Sequence, residues 1–171
     1  MKKIFLLLLI TIGCFSCSSD DDSYNDNEPI PETSVVRLLS VNAITNEVEI
    51  SNLGNATVNV ENYYLCLGPG RYPRIGDIAT GSTNLAPDQS VTLNYELSEA
   101  AEGILLFTTN TFTSTDPDVL LDYIQWGAPN QIRVENAVTA GRWDSASNFV
   151  QGNSPFRFNG NATDIGVTFW E

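Results

Sequence analysis

Nowhere in this chain do apolar residues hold a helical stripe over ten or more positions, which argues against a helical body. What recurs instead is the period of a strand. Val119 to Gly127 reads Val-Leu-Leu-Asp-Tyr-Ile-Gln-Trp-Gly. Leu121, Tyr123 and Gln125 fall on one side of an extended chain, and Leu120, Asp122, Ile124 and Trp126 on the other. Gly127 and Pro129 close the run. A tryptophan buries on the order of 200 Å², so Trp126 is expected at the centre of a β-sandwich.

Shorter runs of the same kind precede it. Val35 to Val41 is the first. Glu47 to Asn52 alternates, with Val48 and Ile50 inward, and Asn52 stands where its side chain caps the turn Leu53-Gly54-Asn55. Val58 and Val60 alternate, Tyr63 to Leu67 follows, and Gly68-Pro69-Gly70 breaks the chain. Arg71 to Thr83 is a longer connection with a short strand expected near Ile75 to Ala79. Leu85 to Gln89 turns into a strand from Ser90 to Leu97. Ile104 to Thr108 is almost wholly apolar and reads as a central strand. Strands at roughly ten-residue spacing predict an all-β sandwich.

Four of these segments carry a resemblance: Glu49-Ile50-Ser51-Asn52, then Tyr64-Leu65, then Leu85-Ala86-Pro87, then Asp122 to Gly127. In this order they resemble the lamin tail domain family over about residues 35–127. The resemblance implies an immunoglobulin-like β-sandwich, with a C-terminal β extension over 128–171 beyond the family pattern. Asp88 stands where that family's turn carries glycine. Bacterial members resemble secreted or surface modules, often fused to enzymes.

The N-terminus reads as an address. Lys2-Lys3 precede the apolar run Ile4 to Ile12, too short to span a membrane, which takes about 20 residues. Gly13-Cys14 and Ser16-Cys17 both place a small residue before a cysteine, as the lipobox of bacterial lipoproteins does. Cys17 is preferred, with Cys14 the runner-up, because Ser18-Ser19-Asp20-Asp21-Asp22 looks like the start of a linker; an ordinary signal peptide is the alternative. The expected organisation is a signal peptide over 1–16, a lipidated cysteine and acidic disordered tether over 17–34, and a domain over 35–171. Six acids and two prolines lie between Ser18 and Ser34, a composition that cannot bury a core. An acid run after a lipid-bearing cysteine also resembles an export signal for the cell-surface face of an outer membrane. The expected location is therefore the outer membrane, lipid-anchored and facing outward.

Charge and composition then narrow the function. The formal charge is −13, and loss of Lys2 and Lys3 would take it to −15. Such a chain repels a phosphate backbone, so no nucleic-acid partner is expected. There is no histidine, so His-based triads and zinc sites are absent, and Cys66 reads as a small core hydrophobe. No catalytic residue and no metal ligand is assigned. Calcium at the Asp- and Asn-rich loops has no specific support. A paired-carboxylate glycosidase is the enzymatic alternative, drawing on Asp116, Asp118 or Asp122 with Asp144. Asp122 is expected to be hydrogen-bonded near a strand end or to lie at the rim, and Glu49 could meet an arginine across the sheet.

The extension places Trp143, Phe149, Phe156, Phe158, Phe169 and Trp170 among Asn, Gly and Ser. Phe156 and Phe158 suggest a short strand, and Ile165 to Glu171 a terminal one. Two roles stand open: closing the sandwich over its edge strands, or presenting Trp143, Phe149 and Trp170 to a carbohydrate or protein ligand. The expectation is a non-catalytic surface module, monomeric because a domain of this length closes its own core. An assembly role in an outer-membrane complex is the third reading.

Overall fold

The structure, a computed structural model, describes Thr33 and residues 35–171. The expected signal peptide, Cys14, Cys17 and almost all of the expected tether lie outside the described residues. In chain order the elements are β1 (Val36–Asn42), β2 (Glu47–Asn52), β3 (Val58–Asn59), β4 (Tyr64–Cys66), α1 (Ile75–Ile78), β5 (Ala79–Thr80), β6 (Asn84–Leu85), β7 (Ser90–Asn94), β8 (Glu102–Phe107), β9 (Leu120–Trp126), α2 (Val134–Thr139) and β10 (Phe156–Arg157), with a 3-10 turn at Val167–Phe169. One antiparallel sheet runs β10-β1-β2-β7-β5 and the other β4-β8-β9, and β3 pairs with β6. The protein is an all-β sandwich.

The alternation read from β2 holds: Val48 and Ile50 are fully buried, while Glu47 and Glu49 are half-exposed. In β1 the inward residues are Val36, Leu38 and Val41, an odd step between the last two. A register shift between Leu38 and Ser40 accounts for it, since one extra residue reverses which face the later side chains take. Trp126 lies in the core, 1% exposed, its ring centroid 5.7 Å from that of Phe156 and its indole N–H donating to the Ser98 carbonyl at 3.0 Å.

All six residues of β8, and all of β9 except Leu121, are buried. A sheet buried on both faces needs a second cover, and residues 128–150 supply it. Gln125 is the attachment point. Its amide donates to the Ala146 and Asn148 carbonyls, and its Oε1 accepts from the Tyr123 hydroxyl and the Gln131 amide, both at 2.9 Å. Trp143 then closes edge-on over Tyr123, centroids 5.3 Å apart. Further along, β10 joins the edge of β1, and the chain end covers β10 through reciprocal Arg157 and Glu171 backbone bonds. Covered edges offer no template for another strand.

Two expected strands differ. Ile75–Ile78 forms the single helical turn α1, leaving only Ala79–Thr80 extended. The Gly76 amide is held by the Glu61 carbonyl at 2.9 Å, and a Cβ there would meet Glu61 Cγ at 2.7 Å. Ile165 to Glu171 is not a strand either. Gly166 takes φ +88° and Val167–Phe169 curls into a 3-10 turn, so Trp170 alone bridges to Phe158. Positive φ is open to glycine at little cost, and Gly166 packs against Asp144, leaving 3.0 Å between a would-be Cβ and the carboxyl carbon.

Candidate functional site

The strongest electrostatic feature lies between the sheets. Asp122, 1% exposed and in the middle of β9, reaches across to β1. Its Oδ2 accepts from Arg37 Nε and from the Leu38 amide, both at 2.8 Å. Its Oδ1 accepts from Arg37 Nη2 at 3.2 Å and from its neighbour's amide at 2.9 Å. Arg37 is itself buried, donates from Nη1 to the carbonyls of Ala162 and Asp164 at 3.0 and 2.6 Å, and lies 4.6 Å above the Phe158 ring. Asp122 is thus at neither a strand end nor the rim. It has four donors and no solvent, which makes it a staple joining β1, β9 and the 162–164 loop. Nor does Glu49 meet an arginine: it accepts from the Ser40 hydroxyl at 3.3 Å.

Beside this staple opens a cleft of about 490 Å³, within the size range of small-molecule sites. Arg37, Arg142, Tyr63, Thr163 and Asp118 are among the polar residues that line it, and Leu121, Val36 and Pro117 among the apolar ones, Val36 at its buried base. The sequence builds this locally. α2 ends in a Schellman motif: the Gly141 amide donates to Val138 O at 3.0 Å and the Arg142 amide to Ala137 O at 2.8 Å, with Gly141 at φ +65°. That reversal sends Trp143 into the core and Arg142 back along β9. Arg142 Nε donates to the Leu120 carbonyl at 3.1 Å and Nη2 to the Pro117 carbonyl at 2.7 Å.

Arg142 keeps a free edge. No carboxylate oxygen lies within 4.0 Å of its guanidinium among the described residues, as is also true of Arg133 and Arg157, whereas Arg37 and Arg71 each have one such partner and Arg74 two. Burial pushes its pKa down from the ordinary value, and Arg37 adds to this; Asp122 and Asp118 pull the other way. Across the cleft the half-buried Tyr63 phenol, pushed up by burial, and the Thr163 hydroxyl have no hydrogen-bond partner among the described residues. Fixed, partly dehydrated donors of this kind recognise anions and hydroxyl groups.

The three aromatics proposed for ligand contact divide. Trp143 is corrected outright: it is 2% exposed and its indole N–H is spent on the Asn148 carbonyl at 2.9 Å. Trp170 is 7% exposed and packs on Phe158 at 5.6 Å, so it offers no stacking platform. Phe149 is half-buried, and with the edge of Trp170 it lines a shallow groove of about 380 Å³ that also carries Asn148 and Gln151. Trp143 went inward over Tyr123 of β9, and Trp170 onto Phe158.

Of the acids weighed for hydrolysis, Asp118 reaches the cleft and Asp122 is withdrawn into its ion pair. Asp144 instead accepts from Asn148 Nδ2 at 2.7 Å, and Asp116 accepts from the Asp118 amide at 2.9 Å. Among the described residues no group of three or more His, Cys, Asp or Glu stands together to hold a metal ion, and no helix is long and apolar enough to cross a membrane. Sequence reasoning missed Arg37 and Arg142. The signal for Arg37 was present, since a lone cation and a lone acid each sat inside an apolar strand. Compared with family models, with curated proteins and with solved structures, the chain has no match.

Proposed function

We propose that this chain is a non-catalytic binding module, a lamin-tail-type immunoglobulin-like sandwich carried as a lipoprotein on the outer membrane and facing outward. The order of the strands supports the immunoglobulin-like assignment. Lettered A, B, C, D, E, F, G from β1, β2, β4, β5, β7, β8 and β9, they give A-B-E-D against C-F-G. Asp88 supports the family resemblance, because at φ +60° it takes the backbone conformation for which the family uses glycine. Lipidation at Cys17 rests on the sequence alone. Cys17→Ser, with Cys14 intact, is expected to release the protein from membranes in a fractionation assay, and continued membrane association would oppose it.

The observation that carries the binding reading is the cleft itself. Its polar residues sit on strand ends and bonded loops, and the buried carboxylate beside it, Asp122, is fully committed to Arg37 and to two backbone amides. A glycosidase needs two working carboxyl groups ~5–10 Å apart, and Asp122 serves as neither. Applied to glycan and peptide arrays, the intact chain in detergent is expected to give hits that Leu121→Trp, which fills part of the cleft, abolishes without lowering the melting temperature. Hits that survive this filling would place the ligand elsewhere, and release of reducing sugar from an array ligand would overturn the non-catalytic reading.

A further inference from the structure

We infer that the cleft takes a uronate-type acidic sugar, with its carboxylate on Arg142 and its ring hydroxyls on Asp118. The inference rests on the binding reading above and names its ligand class. Three described arginines, Arg133, Arg142 and Arg157, have no carboxylate oxygen within 4.0 Å among the described residues, and of these Arg142 is the one that lines the cleft. Its Nε and Nη2 are fixed by the Leu120 and Pro117 carbonyls, so the guanidinium plane is set before any ligand arrives. A preset guanidinium favours carboxylate over a neutral acceptor because charge-assisted bonds are about twice as strong. The Tyr63 and Thr163 hydroxyls add donors on the same cleft.

Asp118 decides between kinds of carboxylate. It lines the same cleft, is exposed, and its side chain accepts no hydrogen bond among the described residues. A simple acid, or an acidic stretch of peptide, brings only negative charge toward it and is repelled. A sugar acid brings a carboxylate for Arg142 together with hydroxyl donors for Asp118. Leu121 and Pro117 on the same cleft give apolar surface for the C–H face of a pyranose ring, and its volume of about 490 Å³ leaves room for more than one ring.

The test is calorimetric titration of the intact chain in detergent micelles with digalacturonate, and with galactobiose as the neutral counterpart of the same size. Digalacturonate is expected to bind at least tenfold more tightly than galactobiose. Arg142→Gln is expected to remove that preference, and Asp118→Asn to weaken both sugars. Because Arg142 also ties two loop carbonyls, its variant is accepted only with an unchanged melting temperature; should it unfold, Tyr63→Phe and Thr163→Val decide, each expected to cost digalacturonate threefold or more. Equal affinity for the two sugars, or a preference for the acid that survives these variants, would overturn the carboxylate assignment and leave the binding module standing. Binding of neither sugar would also overturn it, and the array experiment would then judge the module by itself.

Discussion

Replacing Asp122 by alanine is the perturbation with the largest worked consequence. The substitution strips Arg37 of a bidentate partner and leaves a guanidinium, 4% exposed in its side chain, with two carbonyls and the Phe158 ring for company. The Leu38 amide loses its acceptor as well. Breaking a buried ion pair from one side costs about 3–5 kcal/mol, because the remaining charge stays in a medium that solvates it poorly. Domains of this kind hold roughly 5–15 kcal/mol in total, so the variant should stand near the edge of folding. With a urea m value of about 2 kcal/mol/M, the midpoint should fall by ~1.5–2.5 M. Replacing both partners at once, Arg37→Met with Asp122→Leu, removes both charges and is expected to recover stability to within about 1–2 kcal/mol of the parent. Urea denaturation of the parent, Arg37→Met, Asp122→Leu and the double variant closes the double-mutant cycle. A loss below 1 kcal/mol for Asp122→Ala, or a double variant no better than the single, would refute the staple.

Trp126→Ala should cost ~3–5 kcal/mol as a core truncation, read by the same denaturation; a loss under 1 kcal/mol would mean the ring is not in the core. Gly127 and Gly141 both have positive φ, but a Cβ at Gly127 would lie 1.9 Å from the Ala100 carbonyl oxygen, while at Gly141 it meets nothing within 4 Å. Gly141→Ala should therefore cost about 1–2 kcal/mol from conformation alone, and Gly127→Ala at least ~2 kcal/mol more; equal melting temperatures would contradict this. Burial pushes the Cys66 thiol up, against the pull of Arg133, and pushes the Tyr123 phenol up strongly. The unfolded chain then releases these protons first. The stability they confer is complete below about pH 8.5 and falls by ~1.4 kcal/mol per pH unit for each group once its unfolded form ionises, Tyr123 joining above about pH 10. Cys66→Ala should flatten the decline between those two values, and an unchanged slope in pH-dependent urea melts would rule out the thiol as its source.

What could be read from the chain was local. Period two in Glu47 to Asn52 placed Val48 and Ile50, the unbroken apolar run at Ile104 placed a strand between two others, and Asn52 caps its turn through a 3.0 Å bond to the Gly54 amide. Cys66 packs as a small hydrophobe in the core. What stayed illegible depends on partners distant in sequence. Arg37 and Asp122 are 85 positions apart, and neither shows its partner until the two sheets are laid together. Trp143 and Trp170 sit among glycine, asparagine and serine, a texture that suits an exposed platform and a cover over a sheet equally well. What separates the two is the packing partner, Tyr123 for Trp143 and Phe158 for Trp170, which lies far off in sequence for the first. Arg142 becomes a site residue through the reversal at Gly141, a feature of backbone geometry with a weak sequence signature.

The most direct measurement is an amide and side-chain NMR map of the intact, isotope-labelled chain in detergent during titration with digalacturonate. Shifts are expected to concentrate at Thr108, Leu121, Arg142 and Thr163, with the Arg142 guanidinium resonances moving most and Phe149 and Gln151 unmoved. Shifts gathered instead around Phe149 and Gln151, or none at all, would contradict this reading.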